Sequence, residues 1–516
     1  MAMWRSRLGG PALMVLVLAA PVSAQNAAAP DKREQVTDRV IISNLPEQKS
    51  RIRSLLSTFL GNAGGDKLGV TQSEVWSVPR SLLARLSQTF KVFGCTVTRL
   101  GDDWNHILKR HEGPVAMSPA QEEVLKKRSS PGMVGMGVMK AQRAAIAEYA
   151  LTGGEQTSST ASGSPPEDMV SSIVLPINDT QHVTIQRVRA VTKEKGMAWR
   201  GVVEETGESA VLMWWKDGHL SGVLGYKGRI YSIENMGGDV HAVIEFDPKK
   251  LPPDHAIASS DTVRPRDDGL VLPGVQTPKP KDVEPLSDAE RLALEAKETT
   301  IDVMILYTRK AASRYICDPA DLLELGVEQV NETFRNSGVR NVKLRLVHTQ
   351  LVDYEETVGD QFNHLYRMVD GIGPFKEVRR LRDDKRADIV GMIVDDPSGC
   401  GLSTRVGADA EEAYFVVHHS CATITMSIAH EVGHILGARH DRAIDGVNSP
   451  FPYGHGYING TKWRDIMSYQ QACNGCLRIP FWSNPRVTYK GEPTGTLTED
   501  NARLILEQAE RVSKFR

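Results

Sequence analysis

One run of eleven residues constrains this chain more than any other: His430-Glu431-Val432-Gly433-His434-Ile435-Leu436-Gly437-Ala438-Arg439-His440, or H-E-x-x-H-x-x-G-x-x-H. Residues 423–436 carry helical periodicity. Side chains four apart leave the same face of a helix about one turn apart, so His430 and His434 present their rings together. Ile424, Ile428, Val432 and Ile435 form an apolar stripe on the far side, which docks the helix on a core. Gly437 stands where the helix must stop, because glycine tolerates the left-handed turn after a C-terminus. That turn lets His440 reach back as a third ligand. Three neutral imidazoles suit Zn2+ and leave one tetrahedral position for water. Glu431 cannot share the direction of His430, and it suits a general base that takes a proton from that water. The competing reading is a helix of core histidines satisfied by hydrogen bonds. It does not account for five fixed residues coinciding at these spacings.

A second segment, Asp465-Ile466-Met467-Ser468-Tyr469, follows the histidine motif in the chain. Together the two resemble the metzincin metalloproteases, whose signature is this histidine run followed by a Met-turn. The resemblance places Met467 beneath the zinc as a structural methionine. It also implies that Tyr469 approaches the zinc and stabilises the oxyanion; the competing reading of Tyr469 is a packing tyrosine. His440 is followed by Asp441, as in the reprolysin (adamalysin) branch, where the Asp is structural. The Asn common after the second His of that branch is replaced by Ile435. The segments Pro452-Tyr453-Gly454-His455-Gly456-Tyr457 and Phe481-Trp482-Ser483-Asn484-Pro485 are similar to bacterial reprolysin-like secreted proteases, most closely the peptidyl-Asp metalloendopeptidases. That likeness implies cleavage on the amino side of acidic residues, with a basic group lining the primed-side pocket. The sequence does not single out that group. His418, His419 and His455 are further histidines near the motif, read as packing or hydrogen-bonding residues because three ligands are already supplied.

A chain of 516 residues exceeds what one core usually holds, so several domains are expected. Arg5 and Arg7, an apolar stretch over 11–20 and the small-residue site Val22-Ser23-Ala24 make residues 1–24 a signal peptide. The apolar stretch is shorter than the roughly 20 residues a membrane span needs. The expected destination is therefore outside the cytoplasm, extracellular or periplasmic, with no membrane attachment. A balance of 62 basic and 64 acidic residues carries no electrostatic footprint for nucleic acid.

The region 25–150 mixes strand patterns, at 39–43 and 91–98, with helical ones at 47–60 and 80–90. Residues 152–168 read as a Gly/Ser/Thr/Pro linker, and 170–247 as a β-rich module with short alternating strands such as 209–215 and 229–234. Residues 248–298 form a Pro-rich, charged linker that includes Pro252-Pro253, and a further domain occupies 299–516. Within it, strands are expected at 301–307, 341–352, 387–394 and 413–418, and helices at 322–334, 375–381 and 501–514. Their alternation makes it an α/β domain. With the resemblance, the expected fold is an α/β (α+β) metzincin-type catalytic domain, with a mixed sheet and a zinc-binding helix, behind a mixed α/β and β-rich propeptide.

Six cysteines in an exported chain favour disulfides. Cys400 and Cys421 bracket the approach to the zinc helix and are the first expected pair. Cys473 and Cys476 form a C-x-x-C read as structural rather than redox-active. The C-terminal half, with Cys317, then holds an odd number, so one is free or pairs elsewhere. Cys95 alone lies in the N-terminal half. It is a candidate latency ligand, since thiolate binds zinc well, but it shares strand parity with Phe93 and Val97, which suits a core face.

The expected function is a secreted zinc endopeptidase acting on proteins or peptides, restrained by its own propeptide until cleavage within 285–300. Calcium binding is left open. Two alternatives remain at this stage: a zinc hydrolase of non-peptide amides, and a non-enzymatic zinc-stabilised adhesion or inhibitor module, which would have no need of Glu431.

Overall fold

The computed structural model describes residues 107–110, 115–128, 130–152, 172–255, 283–356 and 360–516, together with the backbone of four strands nearer the N-terminus. Those four, Thr37–Ser43, Asp66–Leu68, Ser73–Pro79 and Thr96–Arg99, form one antiparallel sheet. The expected helices at 47–60 and 80–90, the signal segment and Cys95 all lie outside the described residues.

A nine-stranded antiparallel sheet dominates the N-terminal half. Its strands Gly196–Val203, Ser209–Trp215, Leu220–Tyr226, Arg229–Asn235 and Val240–Phe246 form a meander. Alternating side chains give it two apolar faces, one buried over Trp199, Trp214 and Tyr149 and the other over Met213, Ile244 and Phe246. Two strands, Leu108–Arg110 and Met133–Ala141, join this sheet from before the 152–168 stretch. The sheet therefore draws on both N-terminal regions distinguished in the sequence.

The C-terminal part is built on a mixed five-stranded sheet. Thr299–Thr308, Val342–Val352, Ile389–Val394 and Tyr414–His418 are parallel, and the short edge strand Gly401–Ser403 runs antiparallel to its neighbour. The middle strand Ile389–Val394 is apolar and buried throughout because both of its faces are covered. One face packs against helices Ala320–Asn336, Ser427–Leu436 and Asn501–Val512, and the other against Gln361–Val369 and Val378–Lys385. This is the mixed α/β arrangement expected. Among the described residues no helix is long and apolar enough to cross a membrane.

Two expected helices are corrected. The continuous helix over 423–436 is two helices, Cys421–Ile424 and Ser427–Leu436, separated by Met426 at φ 56°. The Thr425 hydroxyl bonds back to the Cys421 carbonyl at 3.0 Å and meets Ser427 Oγ at 2.7 Å, competing with the helical ladder at the break. The helix expected at 375–381 begins at Val378, after a single 3₁₀ turn, Gly373–Phe375, that contains Pro374.

The two halves are clamped together. Leu325 and Ile424 enter the apolar cluster under the nine-stranded sheet. Arg200 reaches Glu328 and Glu332 at 2.8 Å each, with both Arg200 and Glu328 almost fully buried. Breaking such a pair from one side would strand a buried charge.

Candidate active site

The helix Ser427–Leu436 is anchored by Ile428, Val432, Ile435 and Leu436 in the main core, which turns His430, Glu431 and His434 toward a cleft. Gly437 ends it at φ 120°, a conformation that disfavours other residues, and its N–H reaches the Gly433 carbonyl at 3.0 Å. The chain then doubles back and brings in His440.

The three histidines meet as the spacing requires. His430 Nε2 and His440 Nε2 are 3.3 Å apart, and the His434 ring centroid lies 4.8 and 4.6 Å from those of His430 and His440. Each ring is aimed by its surroundings. His430 Nδ1 bonds to the Ile466 carbonyl at 2.8 Å, and His434 Nδ1 to the Ala438 carbonyl at 2.8 Å. His455 Nδ1 donates to the His440 carbonyl at 2.8 Å and fixes that turn. Such outer bonds leave the opposite nitrogen of His430 and His434 free to face a metal. Burial, with neighbouring positive charge, holds all three histidines well below the usual imidazole range, so they are neutral and able to ligate.

Glu431 is fully buried beside them. Ser403 Oγ, on the edge strand, donates to Glu431 Oε2 at 2.8 Å and fixes the carboxylate, while the buried Oε1 has no hydrogen-bond partner. Gly401 lies against that oxygen; a Cβ there would collide with it. The disulfide Cys400–Cys421 ties the start of the edge strand to the short helix preceding the site. Cys473 and Cys476 are also bridged, and Cys317 is the free thiol among the described residues.

Met467 is fully buried beneath the helix, and a Cβ on Gly433 would come within 2.7 Å of both its sulfur and the Trp482 ring. The glycine inside the histidine motif is thus what admits the methionine. Asp441 Oδ2 accepts the Tyr469 N–H at 3.0 Å, and Asp441 Oδ1 accepts from Ala443, so this carboxylate locks the segment after the third histidine to the segment after Met467. The Tyr469 ring lies 4.2 Å, centroid to centroid, from His440.

The extra histidines take other partners. His419 Nε2 is 3.1 Å from Asp395, His418 Nδ1 meets Ser420 Oγ at 2.8 Å, and His455 bridges two backbone carbonyls.

A fourth histidine, outside the motif, joins the three. His255, in the segment read only as linker, lies with its ring 5.2, 5.1 and 4.8 Å from those of His430, His434 and His440. The ligand atoms of all four lie within 4.8 Å of one another. His255 Nε2 is 3.5 Å from Glu431 Oε1, and neither of its ring nitrogens has a hydrogen-bond partner. Pro252, Pro253, Asp254 and His255 form a strap across the cleft. The Cys400 N–H donates to the Pro253 carbonyl at 2.8 Å, and His255 forms a parallel bridge with Gly401 on the edge strand. The available signal was local: a histidine and an aspartate directly after a rigid Pro-Pro, in a stretch otherwise without structure-forming pattern.

The donor chemistry fits zinc. The buried imidazoles of His434 and His255 both present Nε2 atoms with no hydrogen-bond partner, a costly arrangement unless a cation satisfies them.

Comparisons with known proteins agree. A model described as metallo-peptidase family M12 (Reprolysin_5) matches residues 297–477. A peptidyl-Asp metalloendopeptidase of Xanthomonas campestris pv. campestris is 32% identical over 303 residues, 58% of this chain and 67% of that one. One from Stenotrophomonas maltophilia is 30% identical over 324 residues, 61% of this chain and 72% of that one. Another, from Pseudomonas fragi, is 41% identical over 98 residues, 19% of this chain and 62% of that one. The histidine helix, its buried carboxylate and these relatives lead to one assignment: the chain belongs to metallopeptidase family M12, on the reprolysin-like branch of the bacterial peptidyl-Asp metalloendopeptidases, and is a metalloendopeptidase.

Proposed function

We propose that this chain is an exported zinc endopeptidase, made with its N-terminal half folded over the active site as an inhibitor and cutting next to acidic residues. The observation that carries the reading is the convergence of four buried histidines on Glu431, one of them supplied by the N-terminal half.

His430, His434 and His440 would hold the zinc, and His255, lying among them, would offer a fourth imidazole nitrogen before the N-terminal half is removed. A zinc ion held there supplies Lewis acidity to the scissile carbonyl and to the attacking water. Glu431 takes the proton of that water on Oε1, while Ser403 keeps the other oxygen fixed, and Glu431 returns the proton to the leaving amine. Tyr469, whose ring packs beside His440, would donate its hydroxyl to the oxyanion as the carbonyl becomes tetrahedral. The edge strand Gly401–Ser403 gives an extended substrate a backbone to pair with.

The N-terminal half acts as the inhibitor through the strap, and the chain between it and the catalytic part is the place to cut for release. Cys95 remains a second candidate for that restraint, outside the described residues. Cleavage next to acidic residues follows the name shared by the relatives and the resemblance in sequence.

The test is hydrolysis of casein and of an acidic peptide by the matured protein, with and without a chelator. The expected result is loss of at least about 90% of the activity on chelation and its return on adding zinc. Activity indifferent to chelation, or activity only on non-peptide amides, would contradict the reading.

A further inference from the structure

Next to His255 on the strap is Asp254, and it is buried between two arginines. Arg478 Nη2 donates to Asp254 Oδ1 at 2.9 Å, Arg464 Nη2 lies 3.6 Å from the same oxygen, and the Gln470 N–H donates to Oδ2 at 3.1 Å. All three charged side chains are 4 to 5% exposed. Burial by itself would raise the Asp254 carboxyl, but Arg478 and Arg464 outweigh it and hold the group below the usual carboxylate range.

Arg478 does not depend on the strap for its position. Arg478 Nη1 donates to the Thr425 carbonyl at 2.9 Å and Nη2 to the Ser468 carbonyl at 3.1 Å, which ties it to the break before the histidine helix and to the segment after Met467. Arg464 lies on a short strand whose neighbour carries Arg478. Asp441 and Asp465, whose charges also act on Arg464, are engaged by Tyr469 and Ala443 and by Ser468 and Ser483 respectively. Arg464 Nε and Nη1 and Arg478 Nε have no hydrogen-bond partner among the described residues.

Once the strap leaves, two buried guanidinium groups face the cleft without the carboxylate that neutralised them. A buried charge left unpaired is strongly unfavourable, so the vacated pocket favours a ligand that brings a carboxylate back. Guanidinium is the side chain best suited to that task, since it stays charged and offers several donors.

We propose that Arg478 and Arg464 select an acidic side chain in the substrate, and that Asp254 is a built-in copy of that side chain. The proposal rests on the endopeptidase reading above and names its specificity residues. The strap's polarity bears on where the cut falls. It runs parallel to Gly401–Ser403, whereas antiparallel pairing is the more stable ladder for an extended substrate. A substrate lying antiparallel runs opposite to the strap. The arginine pocket, which takes the residue before His255 in the strap, then takes the residue after the scissile bond, and cleavage falls on the amino side of the acid. The strap fills the same ground without offering a peptide bond in that direction.

The experiment compares two peptides differing only by Asp or Asn at the pocket position, using active protein obtained by expressing the full chain. Wild type should favour Asp in kcat/KM on the order of 100-fold or more, because Asn is the same size but carries no charge for the arginines. Arg464→Gln and Arg478→Gln should each lower that ratio by at least about 10-fold, with the Asn peptide much less affected. Arg478 also holds two backbone carbonyls, so Asp254→Asn serves as the variant that leaves the matured protein unaltered. In the full chain it should loosen the strap, seen as an earlier onset of activity after expression. Equal kcat/KM for the Asp and Asn peptides in wild type would overturn the proposal, as would an undiminished ratio in both folded arginine variants. No peptide cleavage at all would instead overturn the endopeptidase reading on which it rests.

Discussion

Glu431→Ala leaves the zinc bound and the fold intact, and peptide hydrolysis falls by on the order of 10²–10⁴-fold, the usual worth of a positioned proton-transfer group. In the proposed mechanism the carboxylate acts twice, on the attacking water and on the leaving amine. It is equipped for this by asymmetry: Oε2 is tied to Ser403 and Oε1 has no hydrogen-bond partner. The alanine variant removes no histidine and leaves the bonds from His430 to Ile466 and from His434 to Ala438 in place. Zinc content, measured alongside turnover, should therefore match wild type. Retained activity in a variant that still holds zinc would remove Glu431 from the mechanism.

His255→Ala makes the uncleaved chain active. His255 lies beside the other three histidines, and in the proposed latent form it would act as a tethered ligand, at high effective concentration without any exceptional affinity of its own. Losing a contact worth about 1.4 kcal/mol opens the cleft about tenfold more often. Asp254 and the pairing to Cys400 and Gly401 still hold the strap, so the expected rise is on the order of 10-fold rather than full activation. A second readout does not involve turnover: a chelator should strip zinc from the uncleaved variant faster than from the uncleaved wild type. Once the N-terminal half is removed, the two proteins should be indistinguishable. An uncleaved His255→Ala chain that is as inactive as wild type and holds its metal as tightly would place latency elsewhere, with Cys95 next to be tested.

What could be read from the sequence was what is local in the chain. His430 and His434 share a helical face, Gly437 makes the turn, and His440 follows within one short segment, so spacing alone brought the three together. The Cys400–Cys421 bridge was legible for the same reason, since its cysteines flank one short stretch. The parallel strand Ile389–Val394 showed itself as an unbroken apolar run. Partners brought in by tertiary folding were not legible. His255 and Asp254 reach the cleft only because the nine-stranded sheet docks against helix Ala320–Asn336 through Leu325, Glu328 and Glu332. Arg464 and Arg478 look like ordinary surface arginines in sequence, and their burial depends on how the segments around Met467 fold. The break at Met426 was hidden because Ser427 and Thr425 sit in an otherwise continuous apolar pattern, and side-chain competition with the helical ladder has no periodic signature.

The most direct test of the account is the zinc content of the purified full chain, with His434→Ala measured beside it. About one zinc per wild-type chain is expected, with a large loss in the variant, because a catalytic zinc site needs three protein ligands and His434 is proposed as one of them. A wild-type chain that takes up no zinc, or a folded His434→Ala chain that keeps it in full, would contradict the assignment of this site.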